Sequence, residues 1–267
     1  MTKLSREQMK QISEHQFQLA SESALSETTP AEITSHILDF SKELVPGQQP
    51  VYVPVIKDSL GLYGFCSDGV LARVAESSGC ALYGWTIWEW PKVLITAEFH
   101  AVWQRPDGEI VDITPKPAGE NQILFLLDTS IGGDYDFDLR PTNRIYITAD
   151  LDKRDFEVSE RIAGMSSSKK AYENRRAAER GVSLRTHMEK KWTSTEFHSV
   201  VSRFAQASKD FDEHSDTLGG AGVIHPDKKC FKLQLRRLDL QRRMYRHLGR
   251  DTKEIDGAIA TFNKMLR

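Results

Sequence analysis

The spacing of apolar residues changes along the chain and predicts strands in its central part. Residues 81–88, 93–104 and 109–114 are rich in aromatic and β-branched residues, which favours strands. The turn at 106–108 would join the last two of these strands as an antiparallel hairpin. Three further strands are predicted, at 51–55, 123–127 and 144–148.

Helical spacing appears on both sides of these strands. The pattern predicts one helix at 4–20, a second from Thr29 to Leu44 with Thr29 as its N-cap, and a third that begins at Cys66 and ends at Gly79. Beyond residue 150 only helices are predicted, at 151–162, 169–180, 185–210, 230–248 and 252–266.

Together these elements predict an α+β protein with an antiparallel sheet and N-terminal helices, followed by an α-helical C-terminal domain. Residues 164–168, a glycine and three serines around Met165, are the best candidate for a linker. We therefore expect an N-terminal helix in residues 1–27, a central domain in 28–163 and a basic helical domain in 164–267.

The two halves of the chain differ in charge, although the whole chain carries a formal charge of only −2. Residues 1–164 hold 14 Lys and Arg against 25 Asp and Glu, whereas residues 165–267 hold 22 against 13. Packing of the basic helices on the acidic half of the same chain is the ordinary explanation. Contact of the C-terminal helices with nucleic acid is the alternative.

Composition restricts the compartment and the kinds of site. The polar N-terminus has no apolar run of signal-peptide length, and no segment approaches the roughly 18 apolar residues of a membrane span. We therefore expect a cytoplasmic protein without a membrane partner. Cys66, Cys80 and Cys230 are too few for a disulfide framework and lack metal-ligand spacing, so neither a metal nor another cofactor is predicted.

A thiol, an imidazole and a carboxylate follow one another at Cys66, His100 and Asp112. Cys66 is predicted at a helix N-terminus, where unpaired N–H groups and the helix dipole favour a thiolate. His100 and Asp112 fall near opposed positions of the hairpin, where the carboxylate can fix the imidazole tautomer. These residues could form a cysteine nucleophile with its base and orienting group; a buried thiol and a structural hydrogen bond are the alternative.

The surrounding motifs resemble the transglutaminase-like group of papain-fold cysteine enzymes. That group shows a G-x-C-x-D helix start, an H-A-W/V strand and a D-x-T or D-P-T strand in this order. The matching segments here are Gly64-Phe65-Cys66-Ser67-Asp68, Phe99-His100-Ala101-Val102-Trp103 and Val111-Asp112-Ile113-Thr114-Pro115. The resemblance implies a papain-like core with Cys66 as nucleophile, His100 as general base and Asp112 as the residue that orients it.

The resemblance also implies acyl transfer on a protein or peptide substrate, by amide hydrolysis, deamidation or transamidation. Trp85, Trp88 and Trp103 are the candidates for the substrate groove, although strand tryptophans ordinarily pack in a core. The backbone N–H of Cys66 is the expected oxyanion donor, with Gln48 or Gln49 as a candidate side chain. The rival hypothesis is a non-catalytic member of the same fold that binds protein or nucleic acid.

Overall fold

The structure is a computed structural model that describes residues 4–21, 27–132, 134–219 and 226–266. The helices, in chain order, are α1 (Arg6–Ser21), α2 (Ser35–Leu44), α3 (Cys66–Ser77), α4 (Leu151–Ala163), α5 (Ser167–Ala178), α6 (Leu184–Glu189), α7 (Glu196–Gly219), α8 (Lys228–His247) and α9 (Lys253–Met265). The strands are β1 (Val51–Pro54), β2 (Cys80–Trp90), β3 (Leu94–Gln104), β4 (Ile110–Val111), β5 (Gln122–Leu127) and β6 (Arg144–Ile147).

Within the described residues, six strands form one antiparallel sheet in the order β1-β5-β2-β3-β4, with β6 paired to β3. An isolated bridge between Val55 and Asp112 joins the residues that follow β1 and β4, so the two ends of the sheet meet there. Backbone hydrogen bonds with Pro54 and Ile56 hold Asp112 at this junction. The predicted α+β class with an antiparallel sheet is confirmed.

Different parts of the chain cover one face and one end of the sheet. On one face, Trp85 and Phe99 belong to a core cluster with Ile37 and Phe40 of α2 and with Val70 of α3. Beyond the end of the β2–β3 hairpin, a second cluster joins the sheet to the C-terminal helices. Its members include Trp90, Leu94, Phe204, Leu238 and Tyr245. The apolar side of α8 therefore has a partner surface within the same chain.

Several helix boundaries differ from those expected. Helix α2 begins after Thr34, whose hydroxyl caps it by accepting from the N–H of Ile37; Thr28, next to the predicted cap, forms a bridge to Glu89 instead. The single helix expected at 185–210 is two helices, because Thr195 caps α7 by accepting from the N–H of His198. The loop suggested by the glycines at 219–222 lies largely outside the described residues.

The arginines of α8 are paired largely with carboxylates of the same chain. Arg236 lies 3.1 Å from Asp210, and Arg242 lies 3.2 Å from Asp256 and also contacts Asp239. These carboxylates all belong to residues 165–267, so the pairs lie within the basic half and do not join it to the acidic half of the chain. Among the described helices, none combines the length and the apolar character needed to cross a bilayer.

Candidate active site

Cys66 is the first residue of α3 and lines a cavity of about 900 Å³, with its side chain partly exposed. Gly64 has a φ of 80°, a conformation that residues with a Cβ rarely adopt, and it turns the chain into the helix. Phe65 occupies the N-cap and has no polar side chain to bond the N–H groups of the first turn. That end of α3 therefore favours an anion beside the thiol.

Close backbone contacts seat the loop before α3 against the residue that follows Asp112. A Cβ added to Gly61 would lie 1.8 Å from the carbonyl oxygen of Ile113, so only glycine permits this approach. Arg73 of α3 also forms an ion pair of 2.6 Å with Asp58 in the same loop. The start of α3 and the candidate carboxylate are thus fixed in one local unit.

His100 and Asp112 form a buried hydrogen-bonded pair, with 3.0 Å between Nε2 and Oδ2. His100 is 6% exposed and Asp112 is 0% exposed. Because a carboxylate can only accept, Nε2 carries the proton in this bond, and Nδ1 is the ring nitrogen left for proton exchange. The contact that the sequence predicts between these two residues is present.

The hairpin register nevertheless differs from the expectation that the two residues are opposed. Trp103 pairs with Val111 in the ladder of β3 and β4. The next pair in that register would join Val102 with Asp112, two residues away from His100. His100 therefore reaches the carboxylate along a diagonal, which long side chains can span.

The charges around this pair favour its ionised form. Burial alone would lower the pKa of His100, but the carboxylate of Asp112 and then the charge of Cys66 outweigh burial and raise the pKa from 6.5 to about 10. Burial alone would raise the pKa of Asp112, but the charges of His100 and Lys116 hold it well below its usual range. At neutral pH the arrangement is an imidazolium beside a carboxylate.

Lys116 is a second cation that contacts the carboxylate of Asp112, and it was not among the residues predicted from the sequence. Its Nζ lies 2.6 Å from Oδ2, the oxygen that also accepts from His100. The Lys116 side chain is 6% exposed and lies 5.8 Å from the centre of the Trp88 ring. The sequence signal was a lysine four residues after the aspartate, and the bend at Thr114 lies between the two residues.

The cavity beside Cys66 lies between the sheet and the C-terminal helices. The sheet supplies polar and aromatic side chains from β2 and β3, and the segment 137–145 supplies a second wall. The third wall comes from α7 and α8, which the sequence assigned to a separate helical domain. Lining residues from the sheet and from these two helices include Thr86, Trp88, Glu98, Asp212 and Arg237.

Of the three tryptophans expected in the substrate groove, Trp88 alone lines this cavity. Trp85 is 5% exposed and packs edge-on against Phe99, with 5.3 Å between ring centres. Trp103 is 7% exposed, and its Nε1 donates to the carbonyl oxygen of Ser78 at 3.0 Å. Both lie on the sheet face that packs against α3, and neither lines the cavity beside Cys66.

The glutamines suggested for the oxyanion are also placed elsewhere. Gln48 donates from Nε2 to the hydroxyl of Thr129 at 3.4 Å, and neither Gln48 nor Gln49 lines the cavity. Gln16 of α1 lines it instead. No sequence pattern distinguishes Gln16, because α1 carries several glutamines.

In the part of the chain that the structure describes, no group of three or more His, Cys, Asp or Glu side chains is arranged to hold a metal ion. The other two cysteines lie outside the cavity lining. Cys80 is exposed and donates from Sγ to Oε1 of Gln104 at 3.2 Å, whereas Cys230 is buried.

Comparison of the chain with known proteins adds no family assignment to this geometry. No protein-family model matches the chain, and the searches of curated proteins and of solved structures gave no match either.

Proposed function

We propose that this protein is a cysteine-dependent acyl-transfer enzyme that acts on a protein or peptide substrate and has a transglutaminase-like, papain-related core. One observation carries the proposal. Cys66 at the start of α3 and His100 line the same cavity, and Asp112 holds the imidazole from behind at 3.0 Å. Such a set supplies a nucleophile, a proton carrier and a group that orients the carrier.

The reaction begins with the Cys66 thiolate, paired with the His100 imidazolium. Sγ attacks the carbonyl carbon of an amide, a C–S bond forms, and the carbonyl electron pair moves onto oxygen. The backbone N–H groups at the start of α3 hold that oxyanion. When the intermediate collapses, the C–N bond breaks and His100 gives its proton to the leaving amine, which leaves a thioester on Cys66.

The thioester is then transferred to a second nucleophile. His100, now neutral, accepts a proton from water or from an amine as that group attacks the thioester carbon. The C–S bond breaks, and the thiolate and the imidazolium are restored together. Water as acceptor gives hydrolysis or deamidation, and an amine gives transamidation.

A second buried histidine–carboxylate pair lies outside the cavity that Cys66 lines. His187 Nε2 lies 3.0 Å from Glu173, and Lys191 lies 2.6 Å from the same carboxylate. None of these residues lines the cavity, and they join α5 to α6 and to the turn that follows it. The proposal therefore rests on the thiol and the imidazole sharing one cavity, and not on the histidine–carboxylate pair by itself.

The test is acylation of the protein by p-nitrophenyl acetate in a background with Cys80→Ser and Cys230→Ala. We expect a burst of about one nitrophenolate per protein and an acetyl group on Cys66, located by peptide mass mapping. His100→Ala in the same background should slow the burst roughly 100-fold.

The matched control is His187→Ala, which removes a second buried imidazole of the described residues and should leave the burst in place once the variant is shown to be folded. A protein acetylated on surface lysines but not on Cys66 would refute the proposal. That result would favour the alternative, a non-catalytic binding protein with the same arrangement of residues.

A further inference from the structure

The cavity next to Cys66 carries more negative charge than its own cations neutralise. Three of its cations are engaged: Lys116 lies 2.6 Å and His100 lies 3.0 Å from Asp112, and Arg140 lies 3.2 Å from Asp216. Four lining carboxylates remain, and we call them the acidic wall: Glu27, Glu98, Glu120 and Asp212.

Arg237 is the remaining lining cation, and it does not form an ion pair with the acidic wall in the described part of the chain. Its guanidinium donates to Ser208 and to Gln234, both at 3.2 Å. It also lies 4.8 Å from the centre of the Phe211 ring. These contacts hold Arg237 against the helices. Its charge still acts on Asp212 and Glu27, so this one cation is set against the four carboxylates of the acidic wall.

A second observation, independent of charge, comes from the hydroxyl of Thr86. Thr86 is 1% exposed and lines the cavity, and its Oγ1 has no hydrogen-bond partner among the described residues. It pairs with Glu98 across β2 and β3, so the two side chains stand on the same face. Thr114, 5% exposed, places a second unpartnered hydroxyl on the cavity. Buried hydroxyls normally have partners, so these two point to a ligand.

The pKa values of two members of the acidic wall are raised, as expected for carboxylates buried close to one another. Burial raises the pKa of Asp212 to about 6, with Arg237 opposing the rise and Asp216 and Glu98 adding to it. Burial likewise raises the pKa of Glu27, although a hydrogen bond from Thr96 opposes it. A cation bound beside them would lower both pKa values again.

We propose that the acidic wall and Thr86 bind the cationic side chain of an arginine or lysine in the acyl-donor peptide, next to the amide that reacts. This inference rests on the proposed function, because it names the substrate class of the same cavity. Glu98 is two residues from His100 on one face of β3, which is roughly 7 Å along the strand. An arginine side chain next to the reacting carbonyl can reach that far.

The first arm of the test measures binding without chemistry, using Cys66→Ser protein. The ligands are N-acetyl-arginine methylamide and its neutral isostere N-acetyl-citrulline methylamide, compared by calorimetry at low salt. We expect the arginine ligand to bind about tenfold more tightly, and Glu98→Gln and Asp212→Asn each to remove most of that difference.

Glu160→Gln, which alters an exposed carboxylate of α4 outside the cavity, is the matched control and should change nothing. Glu98 is exposed, so its variant tests the idea even if Asp212→Asn fails to fold. Equal binding of the two ligands would overturn the inference.

The second arm separates this inference from the proposed function. Cys66 is modified by two chloromethyl ketones, one built on acetyl-arginine and one on acetyl-norleucine. Each rate is divided by the rate with iodoacetamide, which reports the reactivity of the thiol alone, and the two ratios are compared. A reactive thiol without a preference for arginine would overturn the subsite and leave the proposed function standing. An unreactive thiol together with selective arginine binding would refute the proposed function and leave the subsite standing.

Discussion

The ammonium of Lys116 lies 2.6 Å from the same oxygen of Asp112 that accepts the hydrogen bond from His100. One carboxylate therefore serves two cations that repel each other. Oδ1 of Asp112 is also occupied, because it accepts from the N–H of Thr114 at 2.8 Å. The charge state of His100 is thus set by a balance in which Asp112 stabilises the imidazolium and Lys116 opposes it.

Replacing Lys116 by methionine should raise the pKa of His100, because the variant keeps the stem of the side chain and removes a charge that disfavours the imidazolium. The measurement is the titration of the His100 ring signals by NMR. Lys153→Met, on the exposed side of α4, is the control and should leave the titration unchanged. A fall in the pKa of His100 in Lys116→Met would contradict this account.

Asp112→Asn should lower the pKa of His100. Without the carboxylate, burial becomes the dominant influence and should bring the pKa of His100 below 6.5. Cys66→Ser should lower it by a smaller amount, since the charge of Cys66 contributes less than that of Asp112. NMR titration of His100 in both variants measures the two decreases in its pKa. A larger decrease in Cys66→Ser than in Asp112→Asn would contradict this prediction.

The free energy of unfolding should depend on pH through the same pair. The pKa of His100 is raised by folding, so its contribution is complete below about pH 6.5 and is lost as the pH rises toward about 10. The pKa of Asp112 is lowered, so its contribution is complete above about pH 4 and is lost on further acidification. Urea unfolding should show the parent losing up to about 1 kcal/mol per pH unit above about pH 7.

In Asp112→Asn the loss on the alkaline side should largely disappear, because the histidine is then neutral in both the folded and the unfolded chain. The same slope in the parent and in Asp112→Asn would assign the pH dependence to other groups.

The sequence predicts those parts of the candidate site that depend on neighbouring residues. It does not predict the contacts between segments that are far apart in the chain. The turn at 106–108 is enough to bring the strands of His100 and Asp112 together, and Gly64 marks the start of α3. The alternation of side chains along β2 also shows that Trp85 and Trp88 face opposite ways, which the structure confirms. It cannot show which face becomes the cavity, because that depends on where α7 and α8 pack.

The close approach at Gly61 gives a stability test that also reports on the site. Gly61→Ala would place a Cβ against the backbone carbonyl of Ile113, which cannot move without shifting the residue after Asp112. We expect a loss of about 2 kcal/mol in urea unfolding and slower alkylation of Cys66.

Gly257→Ala provides the comparison, because a Cβ there meets no atom within 4 Å and the position lies inside α9. It should be neutral or stabilising by about 0.5 kcal/mol. Equal effects of the two substitutions would show that the contact between the loop and Ile113 is unimportant.

The two neighbouring tryptophans of β2 should respond differently to replacement by leucine. Trp85→Leu removes a buried ring from the core and should destabilise the fold by about 2 kcal/mol. Trp88→Leu should cost less stability but slow acylation by p-nitrophenyl acetate, because its ring lines the cavity and lies beside Lys116. Unfolding curves and burst rates for both variants, measured side by side, test this division; a slower burst only in Trp85→Leu would refute it.

Helices α7 and α8 form one wall of the cavity, whereas the reacting groups all precede residue 113. The cavity is therefore built from two stretches of the chain, and Cys66, His100 and Asp112 all belong to the first of them. Substitutions in the C-terminal helices can change the wall that carries Asp212 and leave the hydrogen bond between His100 and Asp112 in place. A chain shortened at Gly164 would lose that wall of the cavity but would keep the backbone hydrogen bonds that Asp112 forms with Pro54 and Ile56.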